Sequence, residues 1–464
     1  MNEAFDETNE DKELIRRYED KLLQGGGFFD LDDYETIIDY YTANIEYGKA
    51  LEACDAAIEQ YPFSTGLMLD KAQVLAMTGD FEPALKLIER VEMLDPTNID
   101  VLLTRGIIYT QQGEFEHAVN CLQQATTAEE GLDEIYFNLG LAYQSWGKFK
   151  KAIYYYKKSL ELNHHHEAAL QELVYCLEIT GGLEASLPFY QAFIDNDPYS
   201  YAAWYNKGVI LSRLGKYNEA IEAFEYAYII KPDFASAYFN MANACIHTGN
   251  YRAAIEAFQQ SLKYEPATAE TYCNLGECYE KLGQYDIAHK YYQKSIDLNP
   301  LMDEAWFGIG LILHTQQKWF EAVHFFRKAA SLYTENPDYW LALANSEYQV
   351  GNIVSSLEAF EKASQVDPEN TEVYTNWSVL LYDQGDYNEA IDLMQTTIDL
   401  DPDNADHYYR MCAYLLAANR YKEAYRFLEN ALLLNFEKHT VLFEYFPELE
   451  SQTALKRLIE QYRH

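Results

Sequence analysis

Asparagine recurs in this sequence at an interval suited to holding another peptide chain. Asn206, Asn240 and Asn274 are each separated by 34 residues. A carboxamide carries both a donor and an acceptor, so it can hydrogen-bond the N–H and the C=O of a peptide backbone whatever the sequence of that peptide. If these side chains share one surface, they form a row of such groups. The spacing therefore predicts an asparagine ladder that binds an extended peptide.

Carboxylates and aromatic rings accompany the asparagines in the same register. Acidic side chains beside aromatic rings suit a peptide that bears arginine or lysine, through ion pairs and cation–π contacts. An alternative interpretation is that the acids are ordinary solvated residues of an acidic protein. The predicted peptide-binding residues are Asn138, Tyr205, Asn206, Phe239, Asn240, Asn243, Glu270, Asn274, Glu277, Glu280, Asn345 and Asn376.

One short stretch is basic in a chain whose formal net charge is −39. Between residues 148 and 166, five lysines stand against the single acid Glu161, which gives a local charge of +4. We expect these lysines to form a docking patch for an acidic partner, such as the acidic groove of a second copy. The alternative is a solvated helix face. The lysines are Lys148, Lys150, Lys151, Lys157 and Lys158.

The elements that must position these residues are pairs of short helices. The segment from Tyr201 to Phe234 predicts two helices joined at Gly215, which supplies a left-handed residue at the end of the first. Pro232 ends the second helix. This frame of 34 residues fits twelve times without insertion, starting at Leu31, Thr65, Ile99, Asp133, Glu167, Tyr201, Ala235, Ala269, Asp303, Pro337, Thr371 and Ala405.

The period and its small, aromatic and turn residues resemble the tetratricopeptide repeat family. The resemblance implies an all-α fold, a right-handed superhelical solenoid of helix-turn-helix repeats. We predict a disordered N-terminus at 1–10, a capping helix at 11–30, twelve repeats at 31–438 and capping helices at 439–464. The stretch from Tyr18 to Tyr41 also resembles the opening of repeat proteins from Bacteroidota.

The resemblance also places the predicted site within the fold. In this family the first helix of each repeat lines the concave groove. Counting the first residue of each frame as position 1, the asparagines at position 6 resemble the ladder in the repeat domains of O-GlcNAc transferase and kinesin light chain. Asparagine at position 6 is, however, common in the family generally. The lysines fall on a second helix, which the resemblance places on the convex face.

Motifs for other kinds of chemistry are missing from the sequence. It has no glycine-rich phosphate loop, no metalloprotease or hydrolase motif and no zinc-binding spacing, so we predict no enzyme activity, metal or cofactor. The negative charge disfavours nucleic acid, and no apolar run is long enough for membrane insertion. Seven scattered cysteines indicate reduced thiols and a cytoplasmic location.

These observations predict a scaffold for protein–protein interaction that binds an extended, basic peptide in its concave groove. The alternative is a non-catalytic assembly subunit, which forms a homo-oligomer or joins a larger complex through its convex face and ends. Both interpretations are non-catalytic, so the absence of catalytic motifs does not distinguish them. They differ in which surface binds the partner.

Overall fold

The computed structural model describes residues 9–23, 27–127, 131–164 and 166–462, and it confirms the predicted all-α class. Secondary structure in this part of the chain is helical, without a strand. The helices follow one another in antiparallel pairs, as the frame predicts. Two compact units divide the chain, Met1–Ala237 (unit 1) and Tyr238–His464 (unit 2).

Unit 1 contains the N-terminal helix and the first six helix pairs. Its helix α1 begins two residues before the predicted start at 11, and the rest of the predicted disordered segment, residues 1–8, lies outside the described residues. The helices are α1 Asn9–Leu23, α2 Leu31–Ala43, α3 Tyr47–Gln60, α4 Thr65–Met77, α5 Phe81–Leu94, α6 Ile99–Gln112, α7 Phe115–Ala125, α8 Leu132–Ser145, α9 Phe149–Leu162, α10 Glu167–Ile179, α11 Leu183–Asn196, α12 Tyr201–Arg213 and α13 Tyr217–Ile230.

Helix α14, Ala235–His247, begins in unit 1 and continues into unit 2, so the division falls within the seventh predicted repeat. Unit 2 ends with helices that flank two short 3-10 helices, Phe436–Lys438 and Pro447–Ser451. Its other helices are α15 Tyr251–Ser261, α16 Ala269–Lys281, α17 Tyr285–Leu298, α18 Asp303–Thr315, α19 Trp319–Leu332, α20 Pro337–Val350, α21 Ile353–Val366, α22 Thr371–Gln384, α23 Tyr387–Leu400, α24 Ala405–Ala417, α25 Tyr421–Leu434, α26 His439–Tyr445 and α27 Thr453–Gln461.

The helix boundaries follow from local side-chain chemistry. Ser200 caps α12 by accepting a hydrogen bond from the N–H of Ala203 at 3.3 Å, and Asn370 caps α22 in the same way. The turn inside each pair needs a left-handed residue, which Gly215 supplies at φ 73°. First helices therefore begin at the first residue of the frame, with one exception: α8 begins at Leu132, one residue early.

Close contact between the two helices of a pair depends on a small residue opposite an aromatic ring. A Cβ atom on Gly208 would lie 2.6 Å from Phe224 Cε1, and one on Gly276 would lie 2.6 Å from Tyr292 Cδ1. The fifth repeat has Val174 at this position, and its helices α10 and α11 pack less closely than those of the neighbouring pairs. Helix pairs with a glycine at this position pack more closely than those of the repeats with Ile38 and Val174.

Candidate peptide-binding surface

The predicted peptide-binding residues fall into two groups, one in each unit. All of them lie on first helices of the pairs, at positions that repeat along the chain. Asn138, Tyr205 and Asn206 belong to unit 1. The group in unit 2 consists of Phe239, Asn240, Asn243, Glu270, Asn274, Glu277, Glu280, Asn345 and Asn376.

Two asparagines of unit 2 join consecutive first helices. Asn274 Nδ2 on α16 donates a hydrogen bond to Asn243 Oδ1 on α14 at 3.0 Å. Both side chains are half-buried, and so is Asn240. Within the described part of the chain, the pair leaves the oxygen of Asn274 and the amino group of Asn243 without a hydrogen-bond partner. An acceptor on Asn274 and a donor on Asn243 therefore lie beside each other. A peptide unit, which has one N–H and one C=O, can form a hydrogen bond with each.

Carboxylates lie on the same helix as Asn274. Glu270 is exposed, whereas Glu277 and Glu280 are half-buried. Tyr292 Oη donates a hydrogen bond to Glu280 Oε2 at 2.8 Å. Burial is the main cause that raises the pKa of Glu280 above its usual range, although this hydrogen bond opposes the shift. A half-buried carboxylate of this kind would gain from a cation at its side.

Two carboxylates of α18, Asp303 and Glu304, extend this acidic surface. Burial raises the pKa of Glu304, and the neighbouring Asp303 and Glu270 raise it further by repulsion. Tyr339 Oη donates a hydrogen bond to Asp303 Oδ2 at 2.9 Å. The sequence signal for Asp303 and Glu304 is weak, because acids are frequent throughout this chain. Their closeness to Glu270 depends on how consecutive first helices pack.

A second pair of asparagines in unit 2 has the spacing of the first. Asn345 and Asn376 are 31 residues apart, as Asn243 and Asn274 are. Both are half-buried, and neither side chain makes a hydrogen bond with any residue of the described ranges. Their amide groups are therefore available to a ligand in the same way.

Aromatic rings line part of this surface. Phe239 is half-buried and packs against Phe258 with ring centroids 5.6 Å apart. Phe307 on α18 contacts Tyr339 at 4.6 Å and Phe326 at 5.4 Å between centroids. The protein covers much of the surface of these rings, so only part of each ring is accessible to a ligand.

The asparagines of unit 1 are arranged differently from those of unit 2. Asn138 is 7% exposed and Asn206 is 5% exposed. Asn206 Nδ2 donates to the backbone oxygen of Ala202 at 2.8 Å, and Asn138 Nδ2 donates to the backbone oxygen of Glu134 at 2.9 Å. Each amide thus bonds its own helix one turn back. Because both amides are buried, they are less accessible to a peptide than the sequence predicts.

Tyr205, the third predicted residue of unit 1, packs within its own repeat. Its ring lies 5.8 Å from that of Phe224 and 4.9 Å from that of Phe234, between centroids. The ring is half-buried. It therefore stabilises the helix pair and keeps only part of its surface for a ligand.

A polar network in unit 1 was not predicted from the sequence. Tyr156 Oη and Cys176 Sγ both donate to Gln144 Oε1, at 2.7 and 3.0 Å. Gln144 Nε2 in turn donates to Glu172 Oε2 at 2.6 Å. Burial raises the pKa of Cys176 to about 12, so the thiol stays protonated as a donor. The network links α8, α9 and α10, and both the oxygen and the nitrogen of the Gln144 amide take part in it.

Three carboxylates near the start of unit 1 lie together without a cation. Glu35 and Asp39 on α2 both act on Asp70 of α4 by repulsion. Burial is the larger cause, and together these effects raise the pKa of Asp70 to about 7. None of the three forms an ion pair within the described residues. Lys71, the nearest lysine in sequence, pairs with Asp55 instead.

The five predicted docking lysines lie at the N-cap of α9 and along that helix. Lys148, Lys150 and Lys151 are exposed, whereas Lys157 and Lys158 are half-buried. Lys148 Nζ lies 2.9 Å from the centroid of the Trp146 ring. Lys151 Nζ lies 4.9 Å from that of Tyr143, and Lys158 Nζ lies 4.9 Å from that of Tyr136.

Two other predictions concern membranes and metals. No helix in the described part of the chain is long and apolar enough to span a membrane. In the same residues, no three histidine, cysteine or acidic side chains are grouped as metal ligands would be. The middle residue of the run from His164 to His166 lies outside the described ranges.

Family models match the repeats directly. The model described as "Cilia and flagella-associated protein 70 C-terminal domain" matches residues 161–408, more than half of the chain. Two models described as "Tetratricopeptide repeat" match residues 134–166 and 381–437, and one described as "TPR repeat" matches residues 106–147. No curated protein matches the sequence significantly.

Solved structures with similar helices include three whose sequences differ widely from this one. YrrB, described as a TPR protein with an unusual peptide-binding site, is 21% identical, with a TM-score of 0.34 over 40% of this chain and 95% of its own. The APC/C hetero-tetramer Cut9-Hcn1 is 15% identical, with a TM-score of 0.43 over 89% and 94%. The C-terminal part of a TPR repeat-containing protein from Cytophaga hutchinsonii is 18% identical, with a TM-score of 0.45 over 52% and 99%.

Proposed function

This chain belongs to the tetratricopeptide repeat family whose model is described as the Cilia and flagella-associated protein 70 C-terminal domain, and from that premise we propose that it binds an extended, basic peptide. Proteins built of these repeats generally mediate protein–protein interactions. We place the peptide on the first-helix surface of unit 2, defined by Asn243, Asn274, Glu270, Glu277 and Glu280. In this proposal the protein is a scaffold, and binding needs no cofactor and no covalent step.

The bonded pair of Asn243 and Asn274 is the observation that carries the proposal. Their hydrogen bond of 3.0 Å fixes both amides, so little side-chain entropy remains to be lost when a ligand arrives. The remaining acceptor on Asn274 and donor on Asn243 match the N–H and C=O of a peptide backbone. Such contacts are independent of the peptide sequence.

The carboxylates of α16 support a basic rather than a neutral ligand. Glu280 already accepts a hydrogen bond from Tyr292, yet burial keeps its pKa raised. A peptide lysine or arginine beside it would stabilise the ionised form and lower that pKa. Glu270 and Glu304 repel one another in the same region, and a cation would relieve that repulsion as well.

We also propose a reducing, cytoplasmic setting and a non-catalytic role. Six of the seven cysteines are buried, and the seventh, Cys121, is half-buried. Burial raises the pKa of Cys273 well above its usual range, and raises that of Cys278 to about 12, so both thiols favour the protonated form. Unreactive thiols of this kind suit packing rather than chemistry.

Selection from a random twelve-residue peptide library on the intact chain, followed by affinity measurement, tests the proposal. We expect the selected peptides to be enriched in lysine and arginine. Asn274→Ala should weaken their binding about fivefold, the equivalent of one hydrogen bond of about 1 kcal/mol. Glu280→Gln keeps an acceptor for Tyr292 and removes the charge, so it should weaken binding and flatten its dependence on salt.

Asn388→Ala is the matched control. This asparagine is exposed on α23, a second helix of unit 2, so its loss should leave affinity unchanged. Equal binding by the wild-type protein and Asn274→Ala would overturn the proposed site. Selected peptides without basic residues would overturn the proposed charge of the ligand but leave the amide pair as a backbone-binding site.

A further inference from the structure

Unit 1 carries a group of positive charges that no carboxylate of the described residues pairs with. We call Lys148, Lys150, Lys151, Lys157 and Lys158 the lysine surface. None of the five forms an ion pair with a carboxylate in the ranges that the structure describes. The chain has 74 acidic and 35 basic residues, so five lysines grouped beside a single acid depart strongly from its average charge.

Aromatic rings take the place of carboxylates beneath the lysine surface. Tyr143 stacks on Trp146 and on Tyr155 with interplanar angles of 8° in both cases. Trp146 continues the stack to Phe115, and Tyr155 continues it to Tyr136. The stack therefore contains five rings from two successive repeats, in the order Phe115, Trp146, Tyr143, Tyr155 and Tyr136.

The rings hold the ammonium groups without removing their charge. Four of the five lysines lie within 5 Å of a ring centroid, on Trp146, Tyr143, Phe189 and Tyr136. A cation–π contact orients the lysine side chain and leaves its N–H donors for other acceptors. A lysine that is held in place in this way loses less entropy when an anion binds than a freely moving one does.

Negative charges without a cation occur elsewhere on the same unit. Glu35, Asp39 and Asp70 lie together on α2 and α4, and no lysine or arginine of the described chain pairs with them. Asp39 is exposed, whereas Glu35 and Asp70 are half-buried. No cation among the described residues relieves their repulsion, so a second molecule that brings several lysines would be stabilised there.

We propose that two copies of this chain associate by placing the lysine surface of one copy on Glu35, Asp39 and Asp70 of the other. Both surfaces belong to unit 1, so the contact is independent of the peptide site in unit 2. Two such contacts close a symmetric dimer if each copy gives one surface and receives the other. If that geometry does not close, the same contact adds further copies.

Salt dependence distinguishes this contact from apolar association. The whole molecules repel one another through a net charge of −39 each, and this repulsion is screened over about 8 Å at physiological ionic strength. Close pairs at the contact are screened less than the distant charges. We therefore expect association to be strongest at intermediate salt and to weaken at both low and high salt.

A charge-swap experiment tests the proposal by sedimentation velocity. The first variant combines Lys148→Glu, Lys150→Glu and Lys151→Glu, three exposed positions near the N-terminus of α9, where acids are tolerated in a helix. The second combines Glu35→Lys and Asp39→Lys on α2. Each variant alone should associate at least about tenfold more weakly than the wild-type protein.

Mixing the two variants should restore association. The intact lysine surface of the second variant then meets the intact carboxylates of the first, and the new glutamates of the first variant meet the new lysines of the second. The matched control combines Lys290→Glu, Lys362→Glu and Lys422→Glu, three exposed positions on second helices of unit 2. It has the same net charge as the first variant and should associate like the wild-type protein at moderate salt.

Three results would overturn the contact. These are a wild-type protein that is monomeric at every salt and protein concentration, a first variant that associates as well as the wild type, and a mixture that does not recover. Circular dichroism of each variant shows whether its helices are intact. Peptide binding by unit 2 should be unaffected in all of them, which separates this proposal from the peptide site.

Discussion

The asparagines at position 6 of the repeats are chemically identical, yet they behave differently in the two units. In unit 1, Asn138 and Asn206 are buried and donate to backbone oxygens of their own helices. In unit 2, Asn274 is half-buried and donates across to Asn243 of the preceding first helix. The same residue at the same repeat position is therefore a helix-internal group at Asn138 and Asn206 and a bridge between repeats at Asn274.

The difference follows from the residue 31 positions earlier. Asn274 finds Asn243 there, whereas Asn138 has Ile107 and Asn206 has Tyr175. An isoleucine offers no acceptor, and a tyrosine ring is too large to stand in for an amide at that distance. The amide then turns back to the carbonyl one turn earlier in its own helix, which accepts it as a second hydrogen bond. An asparagine 31 positions earlier therefore permits the bridge but does not enforce it, because Asn376 has Asn345 at that spacing and makes no such bond.

A second matched pair of residues distinguishes the units in the same way. In both units a buried tyrosine at position 24 donates a hydrogen bond to the side chain at position 12. Tyr156 in unit 1 donates to the neutral Gln144, whereas Tyr292 in unit 2 donates to the carboxylate of Glu280. Gln144 also accepts from Cys176, so it keeps a donor if Tyr156 is lost. Glu280 has no second side-chain donor among the described residues.

Replacing these tyrosines should give the largest difference between the units. Tyr292→Phe should lower the free energy of unfolding by about 2 kcal/mol, because a hydrogen bond to a charged acceptor is lost. Tyr156→Phe should lower it by about 1 kcal/mol or less, since its acceptor is neutral and still satisfied. Chemical unfolding followed by circular dichroism measures both. Equal losses would remove the proposed distinction between the two acceptors.

Acidic residues in the two units allow a second comparison, in which the expected change in stability depends on pH and is of intermediate size. The pKa of Asp70 is raised to about 7, so the stability that its neutral form contributes is complete below about pH 4, the range of an unfolded aspartate. That stability is lost as the pH rises through about 7. Asp70→Asn should therefore be more stable than the wild-type protein at pH 8 by about 1–2 kcal/mol, a value reduced for partial solvation.

This difference should disappear near the pKa of a free aspartate, when Asp70 is protonated in both states. Urea unfolding at several pH values measures it, with Glu304→Gln as the counterpart in unit 2, where burial also raises the pKa of the carboxyl. A gain for Asp70→Asn that does not vary with pH would show that the amide acts by packing rather than by removing a charge.

The smallest expected effect concerns the asparagines themselves. Asn274→Ala should lower the free energy of unfolding by about 1 kcal/mol, because Asn243 loses its donor. Asn206→Ala should change it by less than about 0.5 kcal/mol, since the lost bond lies within one helix and alanine is the better helix former. Thermal unfolding of the two variants side by side measures the contrast, and a reversed order would contradict the assignment of bridging and internal amides.

The fold could be predicted closely because its signals are local and repeated. A left-handed turn residue, a small residue at position 8 and a cap each act within one helix pair, so one frame located eleven of the twelve first helices at their starting residue. The exception is α8, which Gly131 precedes in the left-handed conformation, at φ 68°. The turn itself thus moved that boundary by one residue.

The candidate site could be predicted only in part, because its chemistry depends on contacts between repeats. The sequence identified Asn274 and Asn243 but treated Asn206 as their equivalent, since the effect of Tyr175 becomes visible only when consecutive helices are in contact. The acceptor of Tyr292 and the repulsion among Glu270, Asp303 and Glu304 likewise require the distance between helices. The lysine surface was found by charge alone, whereas the aromatic stack beneath it was not.

Three turns reach the left-handed conformation without glycine. Ile45, Gln317 and Asn419 have φ values of 63°, 60° and 60° at the position where the other repeats have glycine. For isoleucine this conformation is unfavourable by roughly 1–2 kcal/mol, and the packing of the flanking helices imposes it nonetheless. In evolutionary terms, stability that is shared among neighbouring repeats lets one repeat drift away from the consensus while the array keeps its register. New surfaces can therefore arise in a single repeat without a change of fold.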